Sequence, residues 1–261
     1  GTLLSDKKHI AEEQKRAIKE AINAGVHVVL CTGRPLIGVL PFYEELALED
    51  RKGYAIVNNG CAIHNTEDWS IVDCEMLPKE ELEYLYSFSE EFEEVNFTLF
   101  DDDSYLCIGK PNKYTEKDGA FVFTKVKEVS MEEILNGEYK IYKTMYVGEP
   151  SKIDEIQEKY GEKLCEKYNG IRSQVSIYET MPYNADKSLA VKRLAERLGI
   201  HREEVMAMGD GNNDVEMLKY AGVSVAMGNS TEDALKAAKF VTDTNENDGV
   251  AKAIDKYILG K

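Results

Sequence analysis

The sequence predicts an α/β protein whose parallel-sheet core is built from both ends of the chain, with an α+β domain inserted between them. Three observations carry this expectation. Helical and strand-like segments alternate over the first sixty-odd residues, as they do in a parallel sheet with crossover helices. Beyond about Leu77 that rhythm gives way to a series of short alternating stretches, the pattern of an antiparallel sheet. Near Asp186 the α/β rhythm returns and runs to the end. The expected division is therefore 1–78 with 186–261 as the core, and 79–185 as the insertion.

Residues 8–24 place Ile10, Ala11, Ala17, Ile18, Ala21 and Ile22 at helical spacing, and Gly25 stops the helix. Val26–Cys31 is a short apolar run, as expected of a strand buried on both faces. After Thr32-Gly33-Arg34-Pro35 a second helix should present Leu36, Leu40, Tyr43 and Leu46, with Pro35 near its first turn. Tyr54–Val57 is the next strand, ending in Asn58-Asn59-Gly60. The insertion should open with an acidic amphipathic helix over 79–94. Strands are expected near 96–100, 104–108, 121–126, 140–147 and 174–179, with a helix at 152–160 among them. In the last third, helices are expected at 188–198, 215–220, 231–239 and 249–259, and strands at 205–208, 223–227 and 240–242.

Composition narrows the function. A net charge of −16 argues against general nucleic-acid or anionic-membrane binding, which needs a basic face. No run of about 18 apolar residues exists to make a transmembrane helix. The five cysteines are scattered without a CxxC, which fits a reducing, cytoplasmic setting. The four histidines lie far apart and suggest no zinc site. An acidic protein can still bind phosphate, through a local set of metal, lysine and backbone N–H groups.

In open α/β sheets ligands sit at the carboxyl ends of the strands. Those ends carry Thr32-Gly33-Arg34, Asn59-Gly60, Asp210-Gly211-Asn212-Asn213-Asp214 and Gly228-Asn229. Two carboxylates four residues apart after an apolar strand exceed what a helix cap requires, and hard oxygens suit Mg²⁺. A calcium loop is excluded, because its sixth and twelfth places would be Val215 and Ala221 rather than Gly and Glu. Thr32 offers a hydroxyl, and Gly33 lets its N–H approach an anion near a helix start. Lys187 opens a helix, where a cation opposes the dipole; it reads either as a solvated surface lysine or as a lysine aimed into a site to neutralise carboxylate and phosphoryl charge. Asp101-Asp102-Asp103-Ser104 is read instead as a solvated loop, since no Gly follows the second Asp and it lies in the insertion.

Taken in order, these segments resemble the haloacid dehalogenase (HAD) superfamily of phosphoryl-transfer enzymes, and more narrowly its Cof-type sugar-phosphate phosphatases. Gly1-Thr2-Leu3-Leu4 is similar to the tail of the first motif, DxDGT; Thr32-Gly33-Arg34-Pro35 to the second; Asn59-Gly60 to the family's NGA-like segment; Lys187 to the third motif; and Gly209–Asp214 to the fourth, GDxxND. The fold this implies is a Rossmann-like parallel-sheet core with an α+β cap of the C2 type. The implied activity is Mg²⁺-dependent hydrolysis of phosphate monoesters of small metabolites, through an aspartyl-phosphate. By match, Asp210 would be a direct Mg²⁺ ligand, and Asp214 would bind through water or orient Lys187. Thr32 and Asn213 would hold phosphoryl oxygens. Thr2, Gly33, Arg34, Asn59 and Gly60 would lie on the substrate side. Both aspartates of DxDGT, and the strand bearing them, would fall immediately before Gly1, so the gene product is expected to continue upstream. Two alternatives remain open at this stage: a phosphomutase or phosphotransferase on the same core, and a non-catalytic phosphometabolite-binding protein.

Overall fold

In the computed structural model, residues 1–48 and 53–261 are described. The chain divides into two compact units. Gly1–Thr32, Pro41–Asp73 and Asp186–Lys261 form the first; Gly33–Leu40 and Cys74–Ala185 form the second. The division after Asp73 precedes the expected boundary at 78/79 by a few residues, and the segment after Thr32 joins the second unit.

The first unit has the predicted parallel α/β character. Strand Val29–Cys31 runs parallel to Tyr54–Val57, with Val29 opposite Tyr54 and Cys31 opposite Ile56. Met206–Gly209 runs parallel to Val223–Ala226, which in turn runs parallel to Phe240–Val241. Helix Glu12–Asn23 buries Ala17, Ile18 and Ala21, the apolar stripe read from the sequence, and ends before Gly25 at φ +89°. Helix Lys187–Leu198 starts from Asp186, whose side chain accepts from Leu189 N, and stops at Gly199 in the left-handed conformation. Two strands were not anticipated. Ala62–Asn65 turns back antiparallel on Tyr54–Val57, and Ile71–Cys74 completes the four-stranded sheet. Cys61-Ala62-Ile63-His64 lacks a two-residue period, because all four residues are buried whichever face they point to, so periodicity did not mark it.

The expected single helix after Pro35 is a short 3-10 turn, Leu36–Gly38, followed by helix Leu40–Leu46.

The second unit is the expected α+β body. Its six-stranded sheet runs in the order Val126–Val129, Tyr105–Ile108, Asn96–Phe100, Lys143–Val147, Ile177–Pro182, Tyr168–Gln174. All neighbours are antiparallel except the first pair. One core joins Phe97, Leu99, Leu106 and Tyr146 of the sheet with Leu82 and Leu85 of helix Lys79–Ser87 and Ile153, Ile156 and Leu164 of helix Pro150–Cys165. A second cluster holds Phe100, Tyr105, Val122, Met145, Val147 and Ile177, with Ile37 packed against it.

Two expectations are corrected here. Residues 121–126 are not a strand: Phe121 closes helix Lys113–Phe121, whose cap Asn112 accepts from Tyr114 N and Thr115 N at 2.9 and 3.0 Å. The acidic helix ends at Ser87 rather than Glu94, and successive turns follow, with Phe92 N donating to Ser89 O at 2.9 Å. No described helix is long and apolar enough to cross a membrane.

Candidate active site

The carboxyl ends of the parallel strands in the first unit converge in one hydrogen-bonded network. Strand Val29–Cys31 delivers Thr32, whose N–H donates to Ile56 O at 2.9 Å and whose carbonyl accepts from Asn59 N at 3.0 Å. The turn after Tyr54–Val57 is sharp. Asn58, Asn59 and Gly60 have φ of +50°, +55° and +101°, a left-handed run that Asn tolerates and Gly adopts freely. Asn59 Oδ1 accepts from Asn213 Nδ2 at 3.0 Å, which joins this turn to the third strand end.

Gly60 is required for a second reason. A Cβ there would stand 2.3 Å from Asp186 O, at the start of the helix bearing Lys187. Gly60→Ala is therefore expected to destabilise the protein by at least about 1–3 kcal/mol, measured by urea unfolding.

Strand Met206–Gly209 leads into Asp210-Gly211 and a 3-10 turn over Asn212–Asp214. Asp214 is 4% exposed and both its oxygens are engaged. Oδ2 accepts from the N–H groups of Asp210 at 2.9 Å and Gly211 at 3.0 Å, and Oδ1 accepts from Lys187 Nζ at 2.6 Å. Gly209 lacks a Cβ where Asp214 Cβ would be 2.4 Å away, so the carboxylate can fold back over the strand end. Lys187 is 6% exposed. Burial disfavours its charged form, but the carboxylate of Asp214, with smaller help from Asp210, outweighs this and raises its pKa. Burial pushes the neighbouring Cys31 thiol up to about 12, so it stays protonated.

Asp210 is more open, its side chain 29% exposed. Its Oδ1 accepts from Thr2 Oγ1 at 2.5 Å. Asn229, after the next strand, donates to Gly1 O at 2.8 Å.

The network thus joins Thr2, Thr32, Asn59, Lys187, Asp210, Asn213 and Asp214, with Gly60 packed on the helix start. Gly33 and Arg34 belong to the second unit. There Gly33 O accepts from Lys143 Nζ at 3.4 Å. Arg34 lies with its guanidinium 4.3 Å from the Phe121 ring centroid and donates to Phe121 O at 2.9 Å. The carboxylates of the loop Asp101–Asp103 are taken up in structural bonds: Asp101 Oδ1 accepts from Asp102 N at 2.7 Å and Lys140 N at 3.2 Å, Asp102 Oδ1 accepts from the Tyr142 hydroxyl, and Asp103 Oδ1 accepts from Ser104 Oγ at 2.9 Å.

Among the described residues, no three His, Cys, Asp or Glu stand together to hold a metal ion. That donor set still fits Mg²⁺, which takes one or two carboxylates and completes its shell with water and phosphate. Asp210 is the carboxylate placed to serve. Asp214, whose carboxylate accepts from Lys187 and from two backbone N–H groups, is placed to orient the lysine. Sequence reasoning missed Arg193, on the same helix as Lys187, which donates to Gly60 O at 3.4 Å. Nothing in its spacing separates it from a solvated arginine. The Asp186 cap was not read either, although an Asp just ahead of a helix is its usual signal.

The chain is similar to known proteins over almost its whole length. The family model described as haloacid dehalogenase-like hydrolase matches residues 1–254. YxeH of Bacillus subtilis is 34% identical over 266 residues, covering 100% of this chain and 96% of its own. A second B. subtilis protein, named 5-amino-6-(5-phospho-D-ribitylamino)uracil phosphatase YcsE, is 29% identical and covers 99% of this chain and 93% of its own. The crystal structure of a haloacid dehalogenase-like hydrolase from Bacteroides thetaiotaomicron superposes with a TM-score of 0.89 at 31% identity, covering 98% of this chain and 96% of that one.

Proposed function

Because the chain belongs to the haloacid dehalogenase-like hydrolases, we propose that this phosphatase hydrolyses phosphate monoesters of small metabolites, sugar phosphates foremost, with Mg²⁺ as cofactor and in the cytoplasm. The observation that carries the proposal is the buried Lys187–Asp214 pair, set between Asp210 and the Thr32–Asn59–Asn213 cluster.

Each residue has a task in this proposal. Thr32, with its hydroxyl, and Asn213, with the amide N–H not given to Asn59, donate to phosphoryl oxygens. Lys187 brings a fixed positive charge to the place where negative charge gathers, and Asp214 holds it there. Asp210 would hold the Mg²⁺. When bound, the ion offsets repulsion between carboxylate and phosphate. The nucleophile would be an aspartate carboxylate of the DxDGT-type first motif, whose tail Gly1-Thr2 resembles. One of its oxygens bonds to phosphorus as the ester P–O bond breaks, and a second aspartate gives its proton to the leaving alcohol. Water, deprotonated by that same group, then attacks phosphorus, breaks the aspartyl-phosphate bond and releases inorganic phosphate.

The test is phosphate release from a panel of sugar phosphates and from phosphoribityl-type esters, using the full-length gene product with Mg²⁺ and with EDTA. Release with Mg²⁺ that falls to background in EDTA is the expected result. A folded protein that releases no phosphate from any compound would overturn hydrolysis and leave transfer between metabolites, or binding without catalysis.

A further inference from the structure

We infer that Arg193 is a positioning residue for the Asn58-Asn59-Gly60 turn, clamping the Gly60 carbonyl so that Asn59 stays presented to Thr32 and Asn213. The inference rests on the function proposed above only in its consequence for turnover; the clamp itself lies wholly within the first unit.

The turn needs an external hold. Three successive positive φ values, two of them at Asn, are a conformation that persists only where the surroundings over-determine it. Self-capping supplies little of this. Asn58 is 2% exposed, and its side-chain oxygen has no hydrogen-bond partner among the described residues. The hold at the front is visible: Asn59 N donates to Thr32 O, and Asn213 donates to Asn59 Oδ1. At the back, the last carbonyl of the turn accepts from Arg193 Nη2 at 3.4 Å.

Arg193 is itself fixed. Its Nε donates to Asp73 Oδ2 at 2.6 Å, and a planar guanidinium anchored at one edge has its other N–H groups aimed in set directions. Lysine could satisfy Asp73 or Gly60 but has no fork to do both. Arg193 also stands on the helix that begins with Lys187, and the Gly60 backbone packs directly on the start of that helix. One rigid element therefore carries the buried lysine and sets where the Asn59 turn lies relative to it. Asp73 comes from the hairpin strand that follows, so the clamp draws on three segments distant in sequence.

The test uses the full-length protein with Arg193→Met, Arg193→Lys and Asp73→Asn. Hydrogen–deuterium exchange is read at the Asn59 and Cys61 amides, both donors within the turn. Arg193→Met is expected to speed exchange there about 10-fold, the worth of one hydrogen bond from a charged donor, with helix Lys187–Leu198 unchanged. Arg193→Lys should fail to restore protection, and Asp73→Asn, which keeps the arginine, should shift exchange the same way by less. In turnover of a sugar phosphate, KM should rise about 10-fold with kcat near wild type, because Asn59 serves binding. Unchanged exchange at the turn, a rise spread evenly over the unit, or full rescue by lysine would overturn the inference. If the wild type releases no phosphate, the functional proposal fails, and the exchange measurement still decides the role of Arg193.

Discussion

Lys187→Met is expected to lower kcat for phosphate release by about 10²–10³-fold, with kcat/KM falling in step, because the ammonium stabilises charge that develops only in the transition state. The side chain is nearly isosteric, so the loss is one of charge. The substitution also strands the Asp214 carboxylate, now facing only the N–H groups of Asp210 and Gly211. Circular dichroism and a urea titration separate this from unfolding: the fold should persist with reduced stability while turnover is lost. Asp214→Asn should reproduce much of the effect, since an amide would turn N–H groups toward one of the three donors that now converge on the carboxylate. The raised pKa of Lys187 fixes the sign of the pH dependence. The group remains charged through the neutral range, so a fall in kcat between mildly acidic and neutral pH belongs to another residue. The lysine's contribution to stability is complete at low pH and is lost only as pH rises through its raised folded value.

Lys143→Met should destabilise the second unit by about 3–5 kcal/mol, the cost of leaving a buried charge without its partner. Lys143 and Glu179 are 4% and 8% exposed, and Nζ donates to Glu179 Oε2 at 3.2 Å and also to Gly33 O. The ammonium lies 5.0 Å from the Phe100 ring centroid. Asp118 is close enough to feel the loss: burial already raises its pKa, and Lys143 is what chiefly opposes that. Removing the lysine should drive Asp118 further toward its neutral form. The double variant Lys143→Met/Glu179→Leu should recover most of the stability, because two apolar side chains leave no uncompensated charge. Equal destabilisation in the single and double variants, in urea, would show that packing rather than charge holds this face.

Much of the first unit was legible because its signals are local. Tyr54–Val57 read as a buried strand from its apolar run alone, and Gly25 and Gly199 mark helix ends that positive φ values require; the run Val26–Cys31 overstated both length and burial, since the strand is Val29–Cys31 and its three residues are only half-buried. Asp210, Asp214 and Lys187 stood out because polar residues at strand ends and a lysine at a helix start need a reason beyond packing. The second unit yielded less. Phe121-Val122-Phe123 imitates strand alternation, yet Phe121 and Phe123 are exposed and Val122 buried, at the end of a helix. That helix is fixed by Asn112, whose backbone N–H and neighbours depend on Asn96 Oδ1, sixteen residues earlier. A bond of that span leaves no mark in a short window. The same holds for Arg193, whose partners Asp73 and Gly60 lie over a hundred residues away.

The assignment of Gly33–Leu40 to the second unit bears on how the protein can be recombined. Ile37 fills the cluster of Phe100, Val122 and Met145, and a Cβ on Gly38 would already touch Val122 at 3.6 Å. Cys74–Ala185 is therefore not a self-sufficient cassette. A chimera that transplants it alone leaves its eight-residue complement behind and opens a hole beside Val122. A graft carrying both stretches keeps that module intact. Over evolutionary time, substitutions at Ile37 and on the sheet face it seals should be inherited together, though scores of residues separate them in the gene.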